Sequence, residues 1–236
     1  DYEWNSTFGR CRCDSSFQYT CSGSNEIGGS GTACGGKYKS CSCSTGYEWK
    51  DGACVACDTS CIAGNIRYSD GTCNSCVVSE KMPIGVVVKD NELVLSPSSS
   101  MKWSSVRVDT SLTNYNDGPD AKTDFNGKTN TATIIAEDSD NVAAKYCNDY
   151  TTAGTSAGDW YLPAAGELYH YVYGNRSAIS TAMTSLGWSW GDVYLWSSCE
   201  YAGGHAWQMH KIYGSFGYTS KNQSFPNVSC LLAIKQ

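Results

Sequence analysis

The sequence predicts an α+β fold that is preceded by a small disulfide-rich, loop-dominated domain. Eleven of the 14 cysteines lie within the first 76 residues, and this region contains few aliphatic side chains. After residue 79 the pattern changes to short β segments, then helical segments, then a run of β segments, an order typical of α+β proteins. We therefore predict two domains, a cysteine-rich stalk at residues 1–78 and a larger domain at residues 79–236.

The charge and hydropathy of the chain argue against two classes of function. The net charge is −6, and only 17% of residues are charged, against about 25% in an average soluble domain. Because nucleic-acid binding needs a basic surface and no run is rich in Lys or Arg, we expect no nucleic-acid partner. The apolar run at residues 84–88 is far shorter than the roughly 20 residues of a membrane-spanning helix, so we expect no transmembrane segment.

The cysteines of the first domain predict a disulfide framework. Their density and the short turns between them are typical of an oxidising compartment, so we expect an exported protein, extracellular or on the cell surface. Zinc is the alternative, since Cys54 with Cys57 and Cys73 with Cys76 have the spacing of a ribbon-type zinc site. The other cysteines close by favour disulfides. Because eleven is an odd number, one cysteine has to remain free, pair with another chain, or pair with one of the three later cysteines.

Two short loops of the first domain repeat each other. GYEWKDGACVAC (46–57) and NIRYSDGTCNSC (65–76) both place Asp-Gly, a tight-turn signal, shortly before a cysteine. The stretch CSCSTGYEWKDGAC (41–54) also resembles the second half of an epidermal-growth-factor-like (EGF-like) module. This resemblance implies that Cys43 and Cys54 are disulfide cysteines, and that the domain is a stapled spacer or a contact surface.

The larger domain carries a succession of helical and β patterns. The helix predictions depend on apolar stripes of helical period, and the second helix also begins at Pro163. The strand predictions depend on short runs of β-branched and aromatic residues. The predicted helices are residues 136–150, 163–175 and 177–187, and the predicted β segments are residues 84–96 with a turn at 89–92, then 193–198, 205–213 and 227–234.

Four blocks of the larger domain occur in a defined order. They are GDWYLPAAGEL (158–168), YLWSSCEY (194–201), HAW (205–207) and VSCLLAI (228–234). In this order they resemble the DUF1566 family of bacterial exported proteins, also called the Lcl C-terminal domain family, over about residues 83–234. The resemblance implies a C-type-lectin-like fold, related to that of the formylglycine-generating enzymes and of the variable proteins of diversity-generating retroelements.

The same resemblance implies roles for particular residues. Trp160 and Leu162 are expected to anchor the core where a strand meets a helix, and Glu167 to fix the start of that helix. In the family a helix cysteine commonly pairs with a cysteine of the terminal strand, which implies a Cys147–Cys230 disulfide.

The chain departs from the family pattern at Cys199, which stands where Ser or Thr usually follows Trp-Ser-Ser. With Cys147 and Cys230 paired, Cys199 has no partner within the larger domain. The odd cysteine of the first domain also lacks one. We therefore hypothesise a disulfide from Cys199 to the first domain or to another subunit.

The sequence contains no pattern that indicates catalysis. His205 and His210 are five apart on a β segment, so they point to opposite faces and cannot share a metal. The chain has no nucleophile-elbow, zinc-protease, phosphate-loop or dinucleotide motif. We expect a protein that is not an enzyme and that has no cofactor.

Calcium is the one cofactor for which the sequence offers candidate ligands. The loop at residues 109–130 is rich in oxygen ligands that suit calcium. Its spacing does not match an EF-hand, and the sugar-binding motifs of calcium-dependent lectins are absent. The alternative, a turn-rich surface loop, is the one that we expect. The aspartates concerned are Asp109, Asp117, Asp120 and Asp124.

The best candidate for a binding surface is the segment of residues 201–224. On its β segment Trp207 and Met209 project to one side, and Gln208 and His210 to the other. With the Trp207 side in the core, the remaining aromatic and polar side chains are expected on the surface. They belong to the residue types that recognition surfaces favour. The predicted binding residues are Tyr201, His205, Gln208, His210, Tyr213, Tyr218 and Asn222.

Two functions are compatible with these patterns. The first is adhesion or recognition, by an exported, non-enzymatic surface protein whose lectin-like head binds a glycan or protein ligand. The alternative is a structural subunit of an extracellular fibre or oligomer, which self-associates through the cysteine-rich unit. The low charge, the odd cysteine count and the small stapled domain motivate this alternative.

Overall fold

The computed structural model describes residues 53–190 and 193–234 continuously, and before residue 53 it describes seven short strands. The chain divides into two compact units, Asp1–Cys57 and Asp58–Gln236. Among the described residues no helix is long and apolar enough to cross a bilayer.

The described part of the first unit consists of antiparallel strand pairs. They are β1 (Tyr2–Asn5) with β2 (Arg10–Cys13), β3 (Gln18–Tyr19) with β5 (Gly31–Thr32), β4 (Glu26–Ile27) with β6 (Ser42–Cys43), and β7 (Tyr47–Lys50) with β8 (Ala53–Ala56). Cys43 and Cys54 form a disulfide with each other. Cys57, Cys73 and Cys76 are also disulfide-bonded, which contradicts the zinc alternative. The predicted odd cysteine falls among Cys11, Cys13, Cys21, Cys34 and Cys41, whose side chains lie outside what the structure describes.

The second unit begins earlier in the chain than the sequence indicated. Strand β9 (Ile66–Tyr68) pairs with β11 (Pro83–Lys89) and so joins the main sheet of this unit. Ile66 and Tyr68 are almost fully buried in its hydrophobic core. The predicted boundary after residue 78 therefore differs from the observed one, because the cysteine-rich composition of this stretch concealed the alternating apolar residues of β9.

A six-stranded antiparallel sheet forms one layer of the second unit. Its strand order is β10 (Cys73–Asn74), β9, β11, β12 (Leu93–Leu95), β19 (Leu231–Ala233) and β14 (Trp160–Tyr161). The predicted turn at residues 89–92 joins β11 to β12 and is closed by a hydrogen bond from Glu92 N to Lys89 O (3.0 Å). Asn91 has a φ of 54° there, a left-handed conformation that asparagine tolerates.

A five-stranded sheet carries most of the predicted binding residues. Its order is β13 (Ser99–Ser100), β18 (Asn227–Val228), β15 (Tyr194–Tyr201), β16 (His205–His210) and the edge strand β17 (Phe216–Ser220). The β15–β18 contact is parallel and the other pairs are antiparallel. Both faces are packed, since Leu195 and Met209 belong to one hydrophobic cluster, and Trp196 and Ala206 to another. The sequence did not predict β17.

The described helices are α1 (Gly118–Ala121), α2 (Gly127–Glu137), α3 (Ala143–Asp149), α4 (Ala165–Glu167, continued by a π-helix at Leu168–Tyr173) and α5 (Arg176–Ser185). The second and third predicted helices correspond to α4 and α5. The helix predicted at residues 136–150 begins too early. Asp138 and Asn141 interrupt it, because the carbonyl of Asp138 accepts a hydrogen bond from Asn141 Nδ2 (2.5 Å) and local side-chain bonds replace helical ones.

The passage from β14 into α4 has the features that the resemblance implied. Trp160 and Leu162 are buried in a hydrophobic cluster. Glu167 Oε2 accepts the backbone N–H of Ala164 (2.8 Å), and Glu167 Oε1 accepts the hydroxyl of Tyr161 (2.8 Å). The carboxylate thus satisfies an amide at the helix start that has no partner within the helix.

A disulfide joins Cys147 of α3 to Cys230, just before β19. It is the pair that the resemblance implied. The second unit as a whole has a mixed α/β architecture with two largely antiparallel sheets, in agreement with the predicted α+β class. The disulfides indicate folding in an oxidising compartment.

Candidate functional site

The predicted binding residues do not form one surface. Tyr201 at the end of β15 pairs with His205 at the start of β16, and Tyr218 of β17 pairs with Trp207 of β16. Because alternate residues of a strand face the same side, these four side chains share one face of the sheet. The other predicted residues of β16 lie on the opposite face.

Tyr201, His205, Trp207 and Tyr218 form a group that we name the tyrosine cluster. The rings of Tyr201 and Tyr218 stack with centroids 3.7 Å apart and planes 4° from parallel. Trp207 meets both rings edge-on at 5.6 Å, and His205 meets Tyr218 edge-on at 5.9 Å. Tyr218 is 48% exposed, whereas Trp207 is only 3% exposed. The cluster is therefore an exposed aromatic platform that stands on a buried indole.

Hydrogen bonds hold the tyrosine cluster in place. Trp207 Nε1 donates to the carbonyl of Tyr115 (3.1 Å). A side-chain hydrogen bond with Tyr218, followed by the electrostatic interaction of the two hydroxyls, raises the pKa of Tyr201. Tyr201 is thus neutral at physiological pH, and its hydroxyl can both donate and accept. The arrangement offers a flat apolar surface with polar groups at its edge.

Glu200 and Lys221, which are close in sequence to members of the tyrosine cluster, form a buried ion network that the sequence analysis did not predict. Lys221 Nζ donates to Glu200 Oε1 (2.5 Å) and to the carbonyl of Val108 (2.5 Å), and it lies 3.5 Å from Asp109 Oδ1. The amide of Thr110 donates to Glu200 Oε2 (3.0 Å). Since Lys221 is 21 and 112 residues from its two acidic partners, no local spacing could have indicated the network.

The same network fixes the turn between β15 and β16. Asp109 Oδ1 accepts the amide of Gly204 (2.8 Å), and Asp109 Oδ2 accepts the amide of Gly203 (3.1 Å). Both glycines have a positive φ, 74° for Gly203 and 73° for Gly204. A Cβ at Gly204 would lie 2.7 Å from the carbonyl oxygen of Arg107, so only glycine fits. This turn therefore fixes the end of β15 and the start of β16, which carry Tyr201 and His205 of the tyrosine cluster.

A second aromatic group lies on the opposite face of the sheet. The ring centroid of His210 is 4.4 Å from that of Tyr213 and 4.9 Å from that of Tyr194. Tyr194 also meets Phe225 edge-on at 6.2 Å. Tyr213 is 72% exposed and Phe225 is 47% exposed. Two of the predicted binding residues, His210 and Tyr213, are therefore brought together here, away from the tyrosine cluster.

Gln208 is buried (7% exposed), so its prediction as a surface residue is wrong. Gln208 pairs with Trp196, which packs with Trp103 in a hydrophobic cluster on the same face. The prediction assumed that one face of the strand is exposed, whereas both are covered. Asn222 is exposed after β17, and its side-chain oxygen accepts the hydroxyl of Ser220 (2.9 Å).

The aspartates of the loop considered for calcium have protein partners. Asp117 Oδ1 accepts the amide of Asp120 (2.8 Å) and caps α1, and Asp124 Oδ2 accepts Asn130 Nδ2 (2.8 Å). The loop is also partly helical, because it contains α1 and the start of α2. In the part of the chain that the structure describes, no group of three or more His, Cys, Asp or Glu side chains is placed to hold a metal ion.

The hypothesis of a disulfide from Cys199 is wrong. Cys199 is a free thiol and is only 1% exposed. Its sulfur accepts the amide of Ala165 (3.2 Å), and its thiol donates to Asp124 Oδ2 (3.3 Å). Burial, and after it the Asp124 carboxylate, raises the pKa of the Cys199 thiol. Such a thiol is inaccessible to another chain and is a poor nucleophile.

Comparison with protein-family models and with curated proteins found no match. Among solved structures, the chain is similar to one described as a fimbrial protein from Bacteroides ovatus ATCC 8483. The TM-score is 0.51 at 17% sequence identity, and the match covers 72% of this chain and 48% of the fimbrial protein. The likeness shows a related fold, and the matched region spans about half the length of that protein.

Proposed function

We propose that this chain is an exported, non-enzymatic surface protein whose second unit is a C-type-lectin-like head of the DUF1566 type. The head binds a glycan or a protein ligand at the tyrosine cluster. Three features support the proposal: the family-like sequence blocks, the disulfides of an oxidising compartment, and the exposed aromatic platform on the edge of the five-stranded sheet.

The stacked pair Tyr201–Tyr218 is the observation that carries this proposal. Tyrosines provide a large, rigid contact area at low entropic cost, together with a hydroxyl that hydrogen-bonds at the edge. Tyr218 projects from an edge strand and is 48% exposed, so a ligand can reach its ring. The buried Trp207 and the Gly203–Gly204 turn hold this pair in a fixed geometry, which reduces the entropy lost on binding.

The chemistry of the described residues supports a role without catalysis. Among the described residues, the free thiol is Cys199, which is buried and has a raised pKa. It is therefore a poor nucleophile for cysteine-based catalysis.

Binding of the purified chain to a glycan array and to a panel of extracellular-matrix proteins tests the proposal. Tyr218→Ala is expected to weaken binding roughly tenfold or more, as expected for an aromatic hot spot. The matched control is Tyr213→Ala, an exposed tyrosine on the opposite face. Melting temperatures of both variants should equal that of the wild type.

Three results would contradict the proposal. Unchanged binding in Tyr218→Ala would exclude the tyrosine cluster as the site. A loss confined to Tyr213→Ala would move the site to the second aromatic group. No binding of the wild type to any probe would reject recognition as the function.

A second candidate function, a structural subunit of an extracellular fibre, is favoured by the likeness to a fimbrial protein. In this case the exposed tyrosines are subunit contacts. Light scattering with and without reductant separates the two functions. A monomer near 25.5 kDa in both conditions favours recognition, and a polymer, or an oligomer that reductant dissolves, favours assembly.

A further inference from the structure

The Lys221 network places an amine between two carboxyl groups inside the second unit. The side chains of Lys221 and Glu200 are fully buried, whereas that of Asp109 is 34% exposed. The ammonium lies 4.4 Å from the centroid of the Trp103 ring, so one of its sides is apolar. A buried ammonium is costly, and a reaction that converts the Lys221 ammonium into a neutral amide removes that charge.

We propose that Lys221 and Asp109 condense to form an isopeptide bond, with Glu200 as the proton shuttle. The Lys221 ammonium transfers a proton to the Glu200 carboxylate, and the free amine attacks Cγ of Asp109. A C–N bond forms and a C–O bond breaks. The oxygen departs as water with the two protons that the ammonium has lost, and Glu200 returns to the carboxylate. No oxidant, reductant or other reactant is consumed.

The positions of the surrounding groups match this reaction. Lys221 Nζ is 3.5 Å from Asp109 Oδ1, so the amine lies beside the carboxyl group whose carbon it would attack. Glu200 Oε1 is 2.5 Å from Nζ, within reach of a general base. The amides of Gly203 and Gly204 each donate to one oxygen of Asp109, and such donors stabilise the negative charge of a tetrahedral intermediate.

The partial exposure of Asp109 gives the released water a path to solvent. Once formed, the bond would join the segment before α1 to the residue that follows β17, across 112 residues of sequence. This inference does not depend on whether the chain is an adhesin or a fibre subunit.

Mass spectrometry of the purified full chain, after reduction and alkylation, tests the inference. The intact mass is expected to be one water lower than the sequence mass. A tryptic digest is expected to contain a branched peptide that joins residues 109 and 221, with no cleavage after Lys221. The branched peptide is decisive, because an Asp-Gly succinimide at Asp51, Asp70 or Asp117 also loses one water but creates no cross-link.

Variants separate the roles of the three groups. Asp109→Ala should show the full mass and normal cleavage after Lys221, whereas Glu200→Gln should form the cross-link more slowly than the wild type. Lys145→Met, which removes an exposed lysine paired with Asp149 (2.6 Å), should retain the cross-link. If Glu200→Gln does not fold, Asp109→Ala still tests the bond, because Asp109 is partly exposed.

Two results would overturn the inference. A wild-type chain with the full sequence mass and a linear peptide ending at Lys221 would exclude the bond. A cross-link at wild-type yield in folded Glu200→Gln would exclude the proton shuttle, for which a decrease of tenfold or more in the rate of bond formation is expected.

Discussion

Replacement of Glu167 by Ala perturbs the helix start at a buried position. The Glu167 side chain is 4% exposed, and its carboxylate accepts the amide of Ala164 and the hydroxyl of Tyr161, each at 2.8 Å. Alanine removes the acceptor from both donors, and each buried donor without a partner costs about 1–3 kcal/mol. Including the packing lost with the side chain, we expect the free energy of unfolding to fall by about 3–5 kcal/mol.

Urea unfolding under non-reducing conditions, followed by circular dichroism, measures this loss as a lower midpoint at unchanged m. Glu137→Ala is the matched control. Glu137 also accepts two hydrogen bonds, from the amide (2.6 Å) and the hydroxyl (2.5 Å) of Ser111, but it is exposed. Water replaces it there, so the loss should be much smaller. A loss below about 1 kcal/mol in Glu167→Ala, or an equal loss in the control, would refute the effect of burial.

Four further predictions concern the second unit. Burial raises the pKa of Glu167 from 4.5 to about 7, so the folded state holds this proton more tightly. The stabilisation of the folded state by protonated Glu167 is complete below pH 4.5 and is lost as the pH rises through about 7, by about 3 kcal/mol. Glu167→Gln should abolish this pH dependence of the urea midpoints. Gly204→Ala should cost about 1–3 kcal/mol in thermal unfolding, because it strains a positive-φ turn. Replacing Cys147 and Cys230 by Ser, which opens a link across 83 residues, should cost about 4 kcal/mol in the same assay. Maleimide should label Cys199 only after unfolding, and rapid labelling of the native chain would contradict its burial.

Many local features of this chain could be predicted from its sequence. The Asp-Trp-Tyr-Leu-Pro block predicted a strand end and a helix start, and the family resemblance implied the burial of Trp160 and Leu162. Glu167 lies three residues after the helix N-cap, a spacing at which a carboxylate reaches back to the backbone. The disulfides follow from cysteine density, and the Cys147–Cys230 pair follows from the family resemblance.

What strand alternation could not predict is whether the second face of a sheet is covered. The assumption that Trp207 and Met209 face the core agrees with their burial. It placed Gln208 outside, but the opposite face packs around Trp103 and Trp196 as well. The burial of Cys199 under α4 likewise depends on which helix lies over β15, and this contact joins residues 34 apart.

The sequence by itself determined the α+β class, the oxidising compartment and the aromatic and polar composition of residues 201–224. Only the tertiary structure decided how those residues are grouped, because strand register places Tyr218 on Tyr201 and sends His210 to the opposite face. It also brought Lys221 to Glu200 and Asp109. Contacts between residues far apart in the chain depend on how the strands pair and stack, and no local pattern encodes that pairing.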